Sequence, residues 1–180
     1  MSTDLSLGSL PPEFALPDVV NGRVVSLADV RAGGALLVMF LCRHCPYVKH
    51  VEKAVADIGR DYRGKLGIVG ISANDAAMYP EDAPPRLAEQ ALAAGFAFPY
   101  LYDESQSVAR AYGAVCTPEF FLFDAKPGLA YHGRLDDTRP GRGPATGNDL
   151  RHALDAVLAG RPVEGPVVAS VGCSIKWRRG

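Results

Sequence analysis

Three features are missing from this sequence, and each absence excludes a class of protein. No apolar run approaches the roughly 18 residues that a membrane-spanning helix needs. Lys and Arg number 19 against 20 Asp and Glu, for a net charge of −1, so the composition offers no basic surface for nucleic acid or an anionic membrane. Four cysteines in 180 residues are too few for a disulfide scaffold. We therefore expect neither a nucleic-acid partner nor a membrane partner.

The N-terminal segment MSTDLSLGSLPPEF also lacks the parts of a secretory signal. It carries neither a basic stretch nor an apolar core, so we expect a cytoplasmic protein. In a reducing compartment, closely paired cysteines serve redox catalysis or metal binding more often than structure.

What is present is the composition of an ordinary globular protein, with 48% hydrophobic and 22% charged residues. Such a chain suits a single domain over residues 1–180. Residues 1–13 are rich in Ser, Gly and Pro, which predicts a flexible arm. Residues 161–180 show no clear period, and we expect this C-terminal extension to pack on the domain.

The hydrophobic pattern predicts an α/β protein with a mixed central sheet flanked by helices. Two short apolar pieces around Asn21-Gly22 indicate an N-terminal hairpin. The apolar run 33–41 predicts a strand buried on both faces, and an amphipathic helix follows from Pro46 and ends before Gly64. Further strands are predicted at 66–72, 98–104, 119–124 and 129–137, and further helices at 86–95, 105–113 and 148–160, the last with Asn148 as its N-cap.

Two thiols, Cys42 and Cys45, stand where the buried strand gives way to the helix. At a helix N-terminus the macrodipole favours a thiolate and lowers a cysteine pKa from ~8.5 to roughly 3.5–7.5. Arg43 and His44 add positive charge between them. We therefore predict that Cys42 ionises and attacks a disulfide, and that Cys45, on the same side of the helix, resolves the mixed disulfide. Half of a zinc site or two core cysteines would also fit this spacing.

A second motif, Thr117-Pro118, precedes a predicted strand. Proline is tolerated there because it need not donate to the sheet. A cis peptide bond would expose the Thr117 backbone, with which an extended substrate chain could pair. Glu119 is a candidate for proton transfer near the thiols.

These motifs resemble the thioredoxin superfamily and, within it, the peroxiredoxin-like (redoxin, AhpC/TSA-like) proteins of bacteria. The likeness rests on FLCRHCP, VCTPEFFLFD, NDAAMYPEDAPP, GRLDDTRP and VGCSIKW. It implies a thioredoxin-like fold with an N-terminal extension and an insertion after the second strand. It also implies that Cys42 attacks, that Cys45 resolves and that Pro118 is cis.

The sequence departs from better-known relatives at three places. Thioredoxins usually carry Trp before the first cysteine, where this chain has Leu41, and Gly-Pro where it has Arg43-His44. A His beside the resolving cysteine resembles the oxidising members and predicts a potential less reducing than that of thioredoxin. True peroxiredoxins place Thr three residues before the peroxidatic cysteine, whereas Met39 precedes Cys42, which argues against a thiol peroxidase, the second alternative function.

The remaining cysteines leave another function open. Cys116 precedes the Thr-Pro motif and is expected to face the thiol pair, so Cys42, Cys45 and Cys116 beside His44 would suit Cu(I) or Zn(II). A metal-binding or metal-delivery module is therefore the main alternative. Cys173, in the extension, would form a disulfide with Cys116 or only anchor the tail.

The pattern as a whole predicts a thiol–disulfide oxidoreductase that needs neither a cofactor nor a resident metal. Its catalytic residues are Cys42 and Cys45, and Thr117 with Pro118 faces the substrate. The expected partners are a protein or small-molecule disulfide and a cellular dithiol reductant. The sequence does not indicate an oligomeric state.

Overall fold

The computed structural model describes residues 5–31, 34–126 and 128–180. Residues 1–4 of the expected arm and residue 33 of the apolar run lie outside the described residues. Part of the arm contacts the domain. The Gly8 amide donates to the Leu129 carbonyl at 2.9 Å, and the Leu129 amide donates to the Ser9 carbonyl at 2.8 Å. Residues 8 and 9 thus hydrogen-bond to the domain, and the flexibility of the arm stays a prediction.

The described residues form nine strands, several of only two or three residues, and five α-helices. The strands are β1 (Ala15–Pro17), β2 (Val24–Ser26), β3 (Leu36–Phe40), β4 (Gly67–Ser72), β5 (Tyr100–Tyr102), β6 (Cys116–Thr117), β7 (Glu119–Phe123), β8 (Leu129–Gly133) and β9 (Cys173–Ser174). The helices are α1 (Leu27–Arg31), α2 (Pro46–Asp61), α3 (Pro84–Ala94), α4 (Ser107–Tyr112) and α5 (Asn148–Leu158), with a 3₁₀ turn at Pro80–Asp82.

The main sheet has five strands in the order β5-β4-β3-β7-β8. Strands β5, β4 and β3 run parallel, whereas β7 and β8 are antiparallel to their neighbours. Every residue of β3 and β7 is buried, as a strand covered on both faces requires. The sheet is therefore mixed, as the hydrophobic pattern predicts.

Side chains from the two faces of this sheet enter separate hydrophobic clusters. Leu37 and Met39 of β3 pack with α2 and α5, whereas Leu36, Val38 and Phe40 pack with α4. The alternation follows from the period of two along a strand. The thiol pair lies at the end of β3 on the first of these faces, with Cys42 and Cys45 in its cluster.

Turn and cap residues agree with most predicted element ends. Gly22 adopts φ +72° in the turn between β1 and β2, and Gly95 closes α3 in the left-handed region, as glycine allows. The N-cap of α5 is Gly147 rather than the predicted Asn148. Thr146 explains the difference, because its hydroxyl accepts from the Asn148 amide at 3.3 Å, which places Asn148 inside the helix.

Within the part of the chain that the structure describes, no helix combines the length and the apolar character needed to cross a bilayer.

Candidate active site

The thiol pair lies in a bend between β3 and α2, not on the helix itself. Helix α2 begins at Pro46, and Cys45 is its N-cap. The expectation that Cys42 opens the helix and that helical spacing aligns the two thiols was therefore wrong. Pro46 explains this geometry, because proline suits the first helical position, where no backbone N–H is needed.

Both sulfur atoms face Thr117. The Cys42 Sγ atom lies 3.2 Å from Thr117 Oγ1, and the Cys45 Sγ atom donates to the Thr117 carbonyl oxygen at 3.4 Å. The Thr117–Pro118 peptide bond is cis. The two sulfurs also lie within hydrogen-bonding reach of each other, and both cysteines are fully buried free thiols. The fold thus brings the two predicted motifs, 72 residues apart, into direct contact.

The two sulfurs share one proton, so the pKa of one of them lies well below the ordinary 9.0 and that of the other well above it. Hydrogen bonds from the Cys42 thiol, from Cys173 and from the Val48 amide favour the charge on Cys45. The donation of Cys45 Sγ to the Thr117 carbonyl and the Thr117 hydroxyl beside Cys42 Sγ favour the charge on Cys42. That Cys42 is the sulfur that ionises first stays a prediction.

The shared proton gives a testable pH dependence. One thiol of the folded pair should have a pKa well below the 9.0 of an unfolded cysteine. The stabilisation from this ionisation is complete above about pH 9 and is lost as the pH falls through the folded pKa. Ultraviolet thiolate absorbance of wild type should show this ionisation, and the same titration in Cys42→Ser and Cys45→Ser identifies the sulfur that carries it. An ordinary midpoint in wild type would contradict a shared proton.

Asp82 lies in the insertion between β4 and α3. It hydrogen-bonds to the backbone of the bend, and this role was not predicted. This fully buried carboxylate accepts the Arg43 amide at 2.8 Å, the His44 amide at 3.1 Å and the Asn74 side-chain amide at 2.9 Å. It also contacts His44 Nδ1. Nothing in the spacing of NDAAMYPEDAPP indicates this contact, because the loop reaches the bend only through the fold.

The charged side chains between the two thiols are paired elsewhere. The Arg43 guanidinium contacts Glu81 and lies 3.7 Å from Glu89. The His44 ring stacks on Tyr79, with centroids 5.5 Å apart. The predicted positive field at the thiols is therefore offset by acidic residues, and it is the helix cap and hydrogen bonds that favour the thiolate.

Gln90 of α3 also hydrogen-bonds to the bend, and the sequence did not predict this contact. Its side-chain amide donates to the Cys42 carbonyl at 3.1 Å and to the Glu52 carboxylate at 2.8 Å, and it accepts from the Tyr100 hydroxyl at 3.1 Å. A buried glutamine on an otherwise amphipathic helix is the only sequence signal for this role.

The loop that carries Pro118 is held by Glu119. Its buried carboxylate accepts the Val115 and Cys116 amides at 2.8 and 3.2 Å, and it lies 2.7 Å from His132 Nε2. These contacts occupy the carboxylate, and among the described residues it shows no hydrogen bond to a thiol. Glu119 therefore positions the loop, and proton transfer by this residue stays a prediction.

Of the other two cysteines, it is Cys173 and not the expected Cys116 that lies beside the thiol pair. Strand β6 pairs antiparallel with β9, so that Cys116 lies opposite Ser174 and Thr117 lies opposite Cys173. Because side chains alternate along a strand, Cys173 shares the face of Thr117 that meets the thiol pair, and Cys116 points to the other face. Burial and Glu119 raise the pKa of Cys116 to about 12. The three thiols brought together are thus Cys42, Cys45 and Cys173.

One donor group within the described residues has the spacing of a metal site. It comprises Cys42, His44 and Asp82, whose ligand atoms all lie within 4.8 Å of one another. Cys45 and Cys116 of the predicted set do not belong to this group. Sulfur, imidazole and carboxylate together are a donor set that suits zinc.

Three comparisons place this geometry among known proteins. Residues 7–132 match the model of the AhpC/TSA family, whereas a search of curated proteins gives no match. An uncharacterized conserved protein from Geobacillus kaustophilus is 48% identical, covers 99% of this chain and 96% of its own, and has a TM-score of 0.94. A hypothetical protein from Sinorhizobium meliloti 1021 is 47% identical, covers 99% and 98%, and also has a TM-score of 0.94.

A more distant structure shares the architecture. A thiol:disulfide interchange protein of the thioredoxin family from Chlorobium tepidum TLS is 18% identical, covers 86% of this chain and 99% of its own, and has a TM-score of 0.65. At this identity the likeness concerns the fold alone. The thioredoxin-like α/β fold expected from the sequence is thereby confirmed.

Proposed function

Since the chain belongs to the AhpC/TSA family, we propose that it is a thiol–disulfide oxidoreductase whose redox centre is the Cys42–Cys45 dithiol. The observation that carries this proposal is the contact of both sulfurs with Thr117 beside the cis proline, at 3.2 and 3.4 Å. A reactive pair next to a backbone that accepts an extended chain is what disulfide exchange with a peptide requires.

The proposed reaction begins at the sulfur that faces the Thr117 hydroxyl. The Cys42 thiolate attacks one sulfur of a substrate disulfide, the substrate S–S bond breaks, and the released substrate thiolate takes a proton. Cys45 then loses its proton and attacks Cys42 Sγ, which forms the Cys42–Cys45 disulfide and expels the second substrate thiol. The substrate gains two electrons and two protons, which a cellular dithiol reductant later restores to the protein.

Insulin reduction with dithiothreitol as electron donor tests the proposal. Wild-type protein should accelerate the precipitation of the insulin B chain well above dithiothreitol alone. A rate equal to that background in correctly folded, fully reduced protein would refute the proposed activity. A cytoplasmic location, the physiological disulfide and its reductant stay predictions.

A metal-binding function is the second candidate, because Cys42, His44 and Asp82 converge. It predicts stoichiometric zinc or copper in protein purified without oxygen, and loss of that metal in His44→Ala. Cys116→Ala should retain the metal, since Cys116 points away from the group. Metal-free protein that reduces insulin would leave the oxidoreductase as the function.

A thiol peroxidase has less support. Neither member of the pair follows Thr by three residues, since Met39 precedes Cys42 and Cys42 precedes Cys45 at that spacing. Consumption of hydrogen peroxide by the reduced protein measures this activity directly.

A further inference from the structure

The C-terminal tail pairs with the loop that a substrate chain is proposed to use. Strand β9 runs antiparallel to β6, with Cys173 opposite Thr117, and the Ile175 amide donates to the Val115 carbonyl at 3.0 Å. A strand edge that accepts a separate extended chain binds it through the same kind of main-chain hydrogen bond. The protein therefore places a strand of its own where the substrate strand is proposed to bind.

The thiol pair is closed to solvent in this arrangement. Cys42 and Cys45 each have 0% of their surface exposed, and Cys173 packs against the hydrophobic cluster that contains them. Thiol–disulfide exchange depends on the access of the incoming sulfur to the attacking one. A substrate disulfide therefore reaches the pair only after the site has opened.

Gly172 adapts the tail to this position. A Cβ atom at this residue would overlap the Thr117 carbonyl oxygen and crowd the Pro118 nitrogen. Both are backbone atoms of the cis-proline loop, so they cannot move aside as the end of a flexible side chain could. Glycine permits this close approach because it has no Cβ atom. A larger residue at position 172 should therefore push the tail off the loop.

Residues beyond β9 attach the tail to the domain. The Lys176 amide donates to Asn74 Oδ1 at 2.8 Å, and the side chain of Ile175 is buried. The Arg110 guanidinium lies 4.3 Å from the centre of the Trp177 ring. These contacts keep the tail strand on the loop in the absence of a substrate.

The tail strand can leave the loop without opening the main sheet. Strands β6 and β9 form a two-stranded sheet separate from the five-stranded one, and β9 has only two residues. Segments held by few hydrogen bonds open locally at free energies below that of global unfolding. Release of the tail is therefore a local event that leaves the rest of the fold in place.

We propose that residues 171–175 of the tail are an intramolecular pseudo-substrate, which occupies the position of the substrate strand on Thr117 and closes the redox centre until a substrate displaces it. The inference rests on the proposed function, and it holds whichever of the two thiols attacks first. The tail also indicates the class of substrate that fits best. This is an extended protein segment in which glycine precedes the cysteine and an apolar residue follows two positions later, as in Gly172, Cys173 and Ile175.

Alkylation of the reduced full-length protein by N-ethylmaleimide tests the closure, with Cys42 and Cys45 followed separately by mass spectrometry. Gly172→Val should raise the faster of the two rates at least about tenfold, because a buried thiol reacts only from the open state. Gly180→Val is the matched control, at a glycine with open space around it, and should react like wild type. A maleimide with a large polyethylene glycol chain should gain more than the small reagent, whereas a change in thiol pKa would affect both reagents alike.

A second variant and two measurements decide whether the tail has moved. Ile175→Asp places a charge at a buried anchor of the tail and should have the same effect as Gly172→Val. Circular dichroism confirms that each variant is folded, and hydrogen exchange of the Ile175 amide reports whether the strand has left the loop. Equal alkylation rates in wild type and in a variant with a released tail would overturn the inference. Protection of this amide that persists in both variants would also overturn it, because the strand would then be a fixed part of the fold.

A peptide of residues 169–177 that carries Cys173→Ser tests whether tail and substrate share one position. It should inhibit insulin reduction by Gly172→Val but barely inhibit wild type, because the tethered tail competes at an effective concentration of about millimolar. The same peptide with Gly172→Val added should not inhibit. Equal inhibition by both peptides, or inhibition by neither, would overturn a shared position.

Insulin reduction also separates this inference from the proposed function. Gly172→Val should reduce insulin several-fold faster than wild type, because its site is open. Fast alkylation without insulin reduction in this variant would refute the oxidoreductase and leave closure by the tail standing. Insulin reduction by wild type with alkylation unchanged in the released variants would refute the closure alone.

Discussion

Cys45→Ser is expected to abolish disulfide reduction, with a fall in the insulin-reduction rate of at least about 1000-fold. Serine has no sulfur, so the variant cannot form the Cys42–Cys45 disulfide that completes the proposed reaction. Cys42→Ser should lose activity to a similar extent for the same reason. Initial rates for wild type and both variants under identical reductant give the comparison.

The two variants also decide the order of attack. With an insulin or glutathione disulfide, Cys45→Ser should form a stable mixed disulfide through Cys42, whereas Cys42→Ser should react much more slowly. The reverse outcome, a mixed disulfide in Cys42→Ser and an inert Cys45→Ser, would make Cys45 the attacking sulfur. Cys116→Ser is the matched single-thiol control, because that side chain lies on the opposite face of its strand from the pair.

Asp82→Ala is expected to destabilise the protein by about 3 kcal/mol, since three donors lose a buried acceptor at roughly 1 kcal/mol each. The donors are the Arg43 and His44 amides and the Asn74 side chain. Loss of this carboxylate also removes one of the causes that raise the pKa of Cys42. Urea unfolding at neutral pH measures the stability, and thiolate absorbance measures the pKa.

Two further variants make this result interpretable. Asp82→Asn preserves the shape and one acceptor oxygen, so it should fall between wild type and Asp82→Ala. Asp57→Ala removes a partly exposed carboxylate that pairs with Lys53 and Arg60 on the surface of α2, and it should change the stability much less. Equal unfolding midpoints for Asp82→Ala and wild type would show that the bend does not depend on Asp82.

Local patterns predicted most of the fold. The uninterrupted apolar residues of β3 form a strand that is buried at every position, and the apolar period of α2 matches the buried face of that helix. Turn residues such as Gly22 and Gly95 lie where the backbone is left-handed. Helix α1 has only five residues, too few to show a period. Strands β6 and β9 have two residues each, and their pairing depends on contacts far apart in the chain.

The site was predictable in its residue types but not in its electrostatics. The spacing of Cys42 and Cys45 and the Thr117-Pro118 motif indicated the participants. The pKa values of the two sulfurs depend on Asp82 and Cys173, neither of which is near the pair in sequence. The same limit explains why Cys173 rather than Cys116 lies beside the pair, because strand register decides which cysteine meets the pair.

The fluorescence of Trp177 should report whether the C-terminal tail is bound to the domain. It is the only tryptophan in the chain, and it packs under the Arg110 guanidinium only four residues beyond Cys173. Its emission should therefore change when the tail detaches, so that a single native fluorophore reports, without any label, how often the redox centre opens to solvent.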